Sequence, residues 1–251
     1  MIPEYSHHFK PTSPRYPTVS FVIPAHNESA YLAKTLERLN RSASALRLNY
    51  EVIVVDDAST DDTSSIAESN GARAIKVNKR NIGAVRNCGA REARYTCLFF
   101  VDADTLVPEK TLRQSLDAIC AGAAGGGAHV VIDRIEEVAW TKLMLYYLVR
   151  IVWQTMGGWA AGCFMYCRRD LFEHFGGFDE EYFAAEELFF SRNVKAHGRF
   201  RIVRNPVVTS SRKFHSFTTK ELIRFVFLPL FSPQGRFRSK LGLEVLYEHD
   251  R

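Results

Sequence analysis

The chain has 251 residues, of which 46% are hydrophobic and 24% charged, an ordinary soluble composition long enough for one large domain or two closely packed halves. A formal charge of +5, with much of the excess between Arg192 and Lys240, is too mild and too local for a nucleic-acid-binding protein and suits phosphates, anionic headgroups or plain solvent. Five cysteines (Cys88, Cys97, Cys120, Cys163, Cys167) are odd in number and fall largely in apolar segments, which speaks for reduced thiols in a cytosolic compartment and against a disulfide framework.

Residues 1–17, "MIPEYSHHFKPTSPRYP", are polar and proline-rich, and read as a loose leader rather than a signal peptide. "VSFVIPA" (Val19–Ala25) predicts a first strand, and Ala30–Leu46 a helix with Leu32, Leu36 and Leu39 on one face. "YEVIVVDD" is the second strand, and "STDDTSSIAESNG" a helix opened by a Ser or Thr cap and closed by Gly71. "ARAIKV" is a third strand. The loop "NKRNIG" leads to a helix over Ala84–Arg94, "CLFFVD" is the fourth strand, Pro108 starts the next helix and "GGAHVVI" is a fifth strand. The glycine run Gly122–Gly127 reads as a connector. Apolar strands separated by amphipathic helices predict an α/β fold, a mostly parallel sheet with helices on both faces. The apolar stretch Val138–Trp153 is too short for a membrane span and carries Lys142 and Arg150.

Polar clusters end three of these strands: Asn27 and Glu28, Asp56 and Asp57, Asp102 and Asp104. Ligands of open parallel sheets bind at that edge. Asp56 and Asp57 could equally cap the helix that follows them. Two carboxylates about 4 Å apart repel by roughly 4 kcal/mol at an effective dielectric near 20, so Asp102 and Asp104 call for a cation, a hydrogen-bonded ligand or water. Neither G-x-G-x-x-G after the first strand nor G-x-x-x-x-G-K-[ST] is present, so no glycine cradle holds phosphates. A metal ion on hard oxygen ligands would then have to neutralise them.

The ordered set "VIPAHNE", "VIVVDDASTDDT", "NIGAVRNCGAREA", "FFVDADT" and "FGGFDEEYFAAEELFFSRNVKAHG" resembles the family 2 glycosyltransferases of the GT-A fold, over roughly residues 18–215. The resemblance implies a nucleotide-diphospho-sugar donor (UDP- or GDP-linked), a divalent cation (Mn²⁺ or Mg²⁺) and an acceptor hydroxyl. It implies a donor-binding half over 18–132, an acceptor half over 133–215 and a helical, basic extension over 216–251. Pro24, Ala25, Asn27, Glu28 and Asp57 resemble the base-binding edge, and Arg86 a second nucleotide contact. Asp102 and Ala103 resemble the ribose-contacting segment, with Asp102 also meeting the metal and Asp104 its direct ligand. Glu187 occupies the place of the catalytic base, where the family usually has Asp, and Glu186 precedes it. His215 matches a metal- or phosphate-contacting His, and Arg212 and Lys213 lie where they could meet the diphosphate.

The processive signature Q-x-x-R-W is absent, so one sugar per encounter is expected, with inversion at the anomeric carbon. A haloacid-dehalogenase-type phosphatase also uses Asp-x-Asp, but on its first strand and with Thr or Val where Leu106 stands. A nucleotide-sugar-binding pseudoenzyme or assembly subunit is the non-enzymatic alternative. "WTKLMLYYLVRIVW" and "FVFLPLF" beside "SPQGRFRSK" combine aromatic, apolar and basic residues suited to peripheral contact at the inner face of a membrane, with a lipid-linked acceptor. A homodimer interface is the competing reading for both segments.

Overall fold

The computed structural model describes residues 15–134, 136, 138–182 and 186–212. The first six strands are β1 (Val19–Ala25), β2 (Tyr50–Asp57), β3 (Arg73–Val77), β4 (Cys97–Val101), β5 (Thr105–Leu106) and β6 (Ala123–Ile132), followed by β7 (Phe164–Arg168) and β8 (Arg199–Thr209). Between them run α1 (Leu32–Ala45), α2 (Thr63–Ser69), α3 (Ile82–Glu92), α4 (Glu109–Cys120), α5 (Trp140–Arg150), α6 (Arg169–His174) and α7 (Glu186–His197). A π-helical turn, Ile151–Met156, extends α5.

Among the described residues, the eight strands form one sheet in the order β3-β2-β1-β4-β7-β6-β8-β5. The block β3-β2-β1-β4 is parallel, as is the pair β6 and β8. β7 enters antiparallel between β4 and β6, and β5 lies antiparallel on β8. The sheet is therefore mostly parallel, with antiparallel strands confined to its second half.

Alternate residues along the central strands feed two cores. Phe21, Phe99 and Tyr166 pack with Leu32, Leu36, Leu112 and Leu116 from α1 and α4 on one face. Val22, Ile53 and Phe100 pack with Val85, Phe172, Phe178 and Phe190 from α3, α6, α7 and the segment before α7 on the other. β1 and β4 are buried along their whole length, as strands covered on both faces must be. Each fully buried Leu or Phe side chain contributes about 1.5–3 kcal/mol relative to exposure.

The glycine run is not a connector: β6 passes straight through it. Gly126 pairs with Tyr166, and a Cβ there would lie 1.8 Å from the carbonyl oxygen of Arg201 and 2.7 Å from the Tyr166 hydroxyl. That hydroxyl crosses β6 to donate to the Arg201 carbonyl at 2.9 Å. Glycine is needed here for space rather than for an unusual backbone angle. Composition alone suggests a loop because it ignores what must pass over the strand.

Three helices start away from where the sequence pattern predicts, α1 and α2 later and α3 two residues earlier. α1 begins at Leu32, where the Glu28 carbonyl accepts from the Tyr31 and Leu32 amides. α2 begins at Thr63, with the Asp61 carboxylate accepting from the Thr63 amide at 3.0 Å. α3 begins at Ile82, capped by the Asn81 side chain accepting from the Ala84 amide at 2.8 Å.

Candidate active site

The parallel pairing brings the carboxyl ends of β1, β2 and β4 to one edge, with Ala25 opposite Asp56. The turn after β1 places Asn27 at φ 52°, a left-handed conformation that Asn tolerates better than most residues. Its Oδ1 accepts from the Thr60 amide at 2.8 Å, and its own amide donates to Ser59 Oγ at 2.9 Å. Asp56 Oδ1 accepts from the Ser59 amide at 2.9 Å, and its other oxygen accepts from the Ser64 hydroxyl. Asn27 thus staples the two loops to each other, while Asp56 shapes its own loop and the start of α2. Asp57 points the other way, accepting from the Lys79 and Arg80 amides at 2.6 and 2.8 Å, so it fixes the loop that leads into α3.

A groove with a cavity of about 160 Å³ opens between these loops. Pro24, Ala25, Glu28, Asp57, Asp102, Ala103 and Asp104 all line it, together with His26, Arg80, Asn81, Ile82, Val85 and Arg212. The first seven of these residues and Arg212, all expected at the site, therefore meet on one surface. Asn27 and Arg86 are not among the described lining residues, and His215 lies outside the described chain. Arg80, Asn81, Ile82 and Val85 were not anticipated, although all sit within or beside the quoted motifs. His26 hydrogen-bonds the Asp57 carbonyl through Nδ1 at 2.7 Å, tying the β1 and β2 ends together.

Asp102 and Asp104 escape mutual repulsion by facing different cations. Asp102 Oδ1 accepts from Arg86 Nη2 at 3.0 Å, on the inner side. Asp104 Oδ2 lies 3.5 Å from Arg212 Nε on the groove side, and its Oδ1 accepts from Thr105 and Thr209 hydroxyls at 3.4 and 3.3 Å. Arg212 also pairs with Glu28 and stacks 5.0 Å over the Tyr31 ring. It spans the groove from the β1 end to the β4 end.

Behind the groove lies a second cluster. Arg86, on α3, is 1% exposed and donates through Nη1 to Glu186 Oε1 at 2.7 Å. Glu186 and Glu187 open α7, where carboxylates complement the positive helix end. A Cβ on Gly162 would start 3.6 Å from Arg86 Nη2, 3.6 Å from Glu186 Oε1 and 3.9 Å from Glu187 Oε2, so all three groups converge on one point. Burial, reinforced by the neighbouring Glu186 carboxylate, pushes the Glu187 carboxyl well above the usual carboxylate range.

Among the described residues no three His, Cys, Asp or Glu side chains form a ready-made metal cage. Magnesium-like cations in phosphate sites are commonly held by one or two carboxylates, with substrate oxygens and water completing the shell. Asp104, with Asp102 beside it on the groove, fits that donor set. Among the described residues, no helix is long and apolar enough to cross a membrane.

A family profile described as "Glycosyl transferase family 2" matches residues 20–176. With that match over more than half its length, the chain belongs to glycosyl transferase family 2. It is 38% identical over 114 residues to validoxylamine A glucosyltransferase of Streptomyces hygroscopicus subsp. jinggangensis, covering 43% of this chain and 26% of the relative. It is 32% identical over 111 residues to undecaprenyl-phosphate 4-deoxy-4-formamido-L-arabinose transferase of Aeromonas hydrophila, covering 41% of this chain and 34% of the relative. These two curated relatives are thus matched over only about a quarter to a third of their length. In fold, the chain is similar to S. aureus TarS 1-349 in complex with UDP-GlcNAc (TM-score 0.60, 18% identity, 92% of this chain and 72% of that one). It is also similar to the mannosyltransferase PcManGT of Pyrobaculum calidifontis in complex with GDP-Man and Mn2+ (TM-score 0.64, 20% identity, 92% and 70%). The fold is that of the GT-A glycosyltransferases.

Proposed function

We propose that this protein transfers one sugar per encounter from a nucleoside-diphosphate donor to an acceptor hydroxyl, with inversion at the anomeric carbon. The observation that carries the reading is the convergence of Pro24–Glu28, Asp57 and Asp102–Asp104 on one groove in a family 2 chain. Residues 18–132 supply the donor side and 133–215 the acceptor side. The two GT-A neighbours solved with UDP-GlcNAc and with GDP-Man support a uridine or guanosine donor.

In this reading the base lies between the β1 and β2 ends, where Asp57 accepts from a uracil-type N–H. Ribose and diphosphate lie over Asp102, Ala103 and Asp104. A divalent cation bound at Asp104 and Asp102 would draw charge from the departing nucleoside diphosphate. Arg212 leaves its contacts with Glu28 and Asp104 to meet the diphosphate. Glu187 takes the proton of the acceptor hydroxyl as the new C–O bond forms and the bond from the anomeric carbon to the phosphate oxygen breaks. The groove's main contribution is to hold the two reactants in line. The acid pair ends the fourth strand rather than the first, which counts against the phosphatase alternative. Incubation with a panel of UDP- and GDP-sugars and Mn²⁺ tests the proposal: nucleoside diphosphate released in step with an acceptor is expected, and no release from any donor with any acceptor counts against it.

The site of action we propose is the inner membrane surface, on a lipid-linked acceptor. The name of the Aeromonas relative, an undecaprenyl-phosphate transferase, supports that acceptor class. Trp140, Met144, Tyr147, Leu148 and Ile151 are exposed at helical spacing along α5 and the turn after it, an apolar stripe beside Lys142. The "FVFLPLF" segment lies outside the described residues. Co-sedimentation with liposomes should rise with anionic lipid and fall in 0.5 M salt, since each basic residue near such a surface contributes about 1 kcal/mol within a Debye length. A protein that stays in the supernatant at low salt and dimerises instead would assign the stripe to a homodimer.

A further inference from the structure

We infer that Arg86 is a positioning residue: its buried guanidinium joins the donor-side Asp102 to the acceptor-side Glu186 and so fixes the spacing between sugar and base. The inference rests on the proposed function and gives Arg86 a different role from the nucleotide contact that the resemblance implies.

The guanidinium hydrogen-bonds three segments that are remote in sequence. Nη1 donates to Glu186 Oε1 at 2.7 Å, and Nη2 donates to Asp102 Oδ1 and to the Gly162 carbonyl, both at 3.0 Å. Its face packs over the Phe178 ring, 5.5 Å from the centroid. It is thereby tied to the end of β4, the loop before β7, the turn before α7 and the first turn of α7 itself. Neighbouring polar residues of α3 serve the same junction. Asn87 Nδ2 donates to the Phe178 carbonyl at 2.8 Å, and its Oδ1 accepts from the Phe178 amide at 2.9 Å. Asn81 Nδ2 donates to the carbonyls of Glu180 and Tyr182, both at 3.0 Å. The motif "NIGAVRN" therefore spends its three large polar side chains largely on docking the segment before α7 and the start of α7 against α3.

Two features set Arg86 apart from a simple structural clamp. Its Nε is buried without a hydrogen-bond partner among the described residues, an unsatisfied donor that an apolar side chain would avoid. Its bond to Glu186 Oε1 also divides the labour of the acid pair. Glu186 is committed to the guanidinium, while Glu187 keeps an oxygen on the Gly162 side, where the two carboxylates meet. A rigid planar fork with two separate Nη donors holds both carboxylates at a fixed spacing, which a compact ammonium on a flexible stem does not impose.

Arg86→Lys keeps the charge but not the fork, whereas Arg86→Met would leave Asp102 and Glu186 facing no cation and unfold the chain. With Arg86→Lys, donor Kd measured by calorimetry should stay within about threefold of wild type, while kcat at saturating donor and acceptor falls ~10²-fold, as misplacement of a reacting group by about 1 Å does. Because the effect runs through Glu186, Arg86→Lys combined with Glu186→Gln should be no slower than Arg86→Lys alone. A raised donor Kd with kcat preserved overturns the inference in favour of nucleotide contact, and multiplicative losses in the double variant overturn it in favour of independent roles. Should Arg86→Lys not fold, Glu186→Gln alone carries the test, with kcat lowered about tenfold at unchanged donor Kd expected and unchanged kcat overturning. A wild-type protein that transfers no sugar contradicts the proposed function instead, so the two fail separately.

Discussion

Asp104→Asn is expected to abolish turnover, by ~10³-fold or more given what a single electrostatic contact at a transition state is worth, and to leave the melting curve almost unchanged. The side chain sits at the rim of the sheet, where its Oδ1 accepts from the Thr105 and Thr209 hydroxyls, contacts that an amide oxygen can keep. What the amide loses is the charge facing Arg212 and the groove, which is where a cation and a diphosphate would be held. Asp102→Asn is a less clean probe. Asp102 is also a partner of the buried Arg86, and removing one member of such a cluster is strongly destabilising. Steady-state kinetics beside a thermal melt separates the two effects. Full wild-type activity in excess EDTA would contradict the metal's place in the reading.

The second large effect belongs to the acid pair. Glu187→Gln should lower transfer by roughly 10²–10⁴-fold with donor affinity barely changed, as loss of a general base does. Glu186→Gln should lose less, because Glu186, held by Arg86, places the base rather than taking the proton itself. The pH profile gives an independent reading. A base must be ionised to accept a proton, and burial together with Glu186 holds the Glu187 carboxyl above the usual carboxylate range. Wild-type kcat should therefore fall as pH drops through that raised value, placing the acid limb higher than an ordinary carboxylate would, and Glu187→Gln should remove the limb. The reverse ranking of the two variants moves the role to Glu186, and no effect from either removes the pair from the mechanism.

The parts of the fold that were legible are those whose cause is local. β1 and β2 fall on the residues their apolar runs predict, because strands buried on both faces need continuous hydrophobicity and stop where a polar cluster begins. β8 was not legible. Arg199, Arg201 and Arg204 interrupt it, since it runs near the edge of the sheet with alternating exposure. β6 was legible over Gly126–Ile132, but its first residues read as a connector because the purpose of the glycines depends on Tyr166, some forty residues away in the chain.

The site divides in the same way. Asp102 and Asp104 stand out because two carboxylates after "LFFV" conflict with burial unless something offsets them, and the structure supplies Arg86 on one side and Arg212 on the other. Arg86 stands out only through the family resemblance, which gives it a nucleotide contact. Its partner Glu186 lies 100 positions downstream, and no local pattern announces that contact. Asn27 reads as a ligand contact but serves as a loop staple, because a side chain that accepts from a neighbouring backbone amide is chemically the same as one waiting for a base.

The most direct test of the central claim, that the groove at the strand ends binds a nucleoside diphosphate through a metal held at Asp104, is the melting temperature of the intact protein with UDP-GlcNAc and GDP-mannose, each in Mn²⁺ and in EDTA. A ligand at 100 times its Kd adds about 2.7 kcal/mol, which for a chain of this size raises Tm by roughly 5–10 °C. The expected result is a rise of that order with one of the two donors in Mn²⁺, lost in EDTA and lost in Asp104→Asn. An equal rise in EDTA, or a rise that survives Asp104→Asn, would contradict the claim.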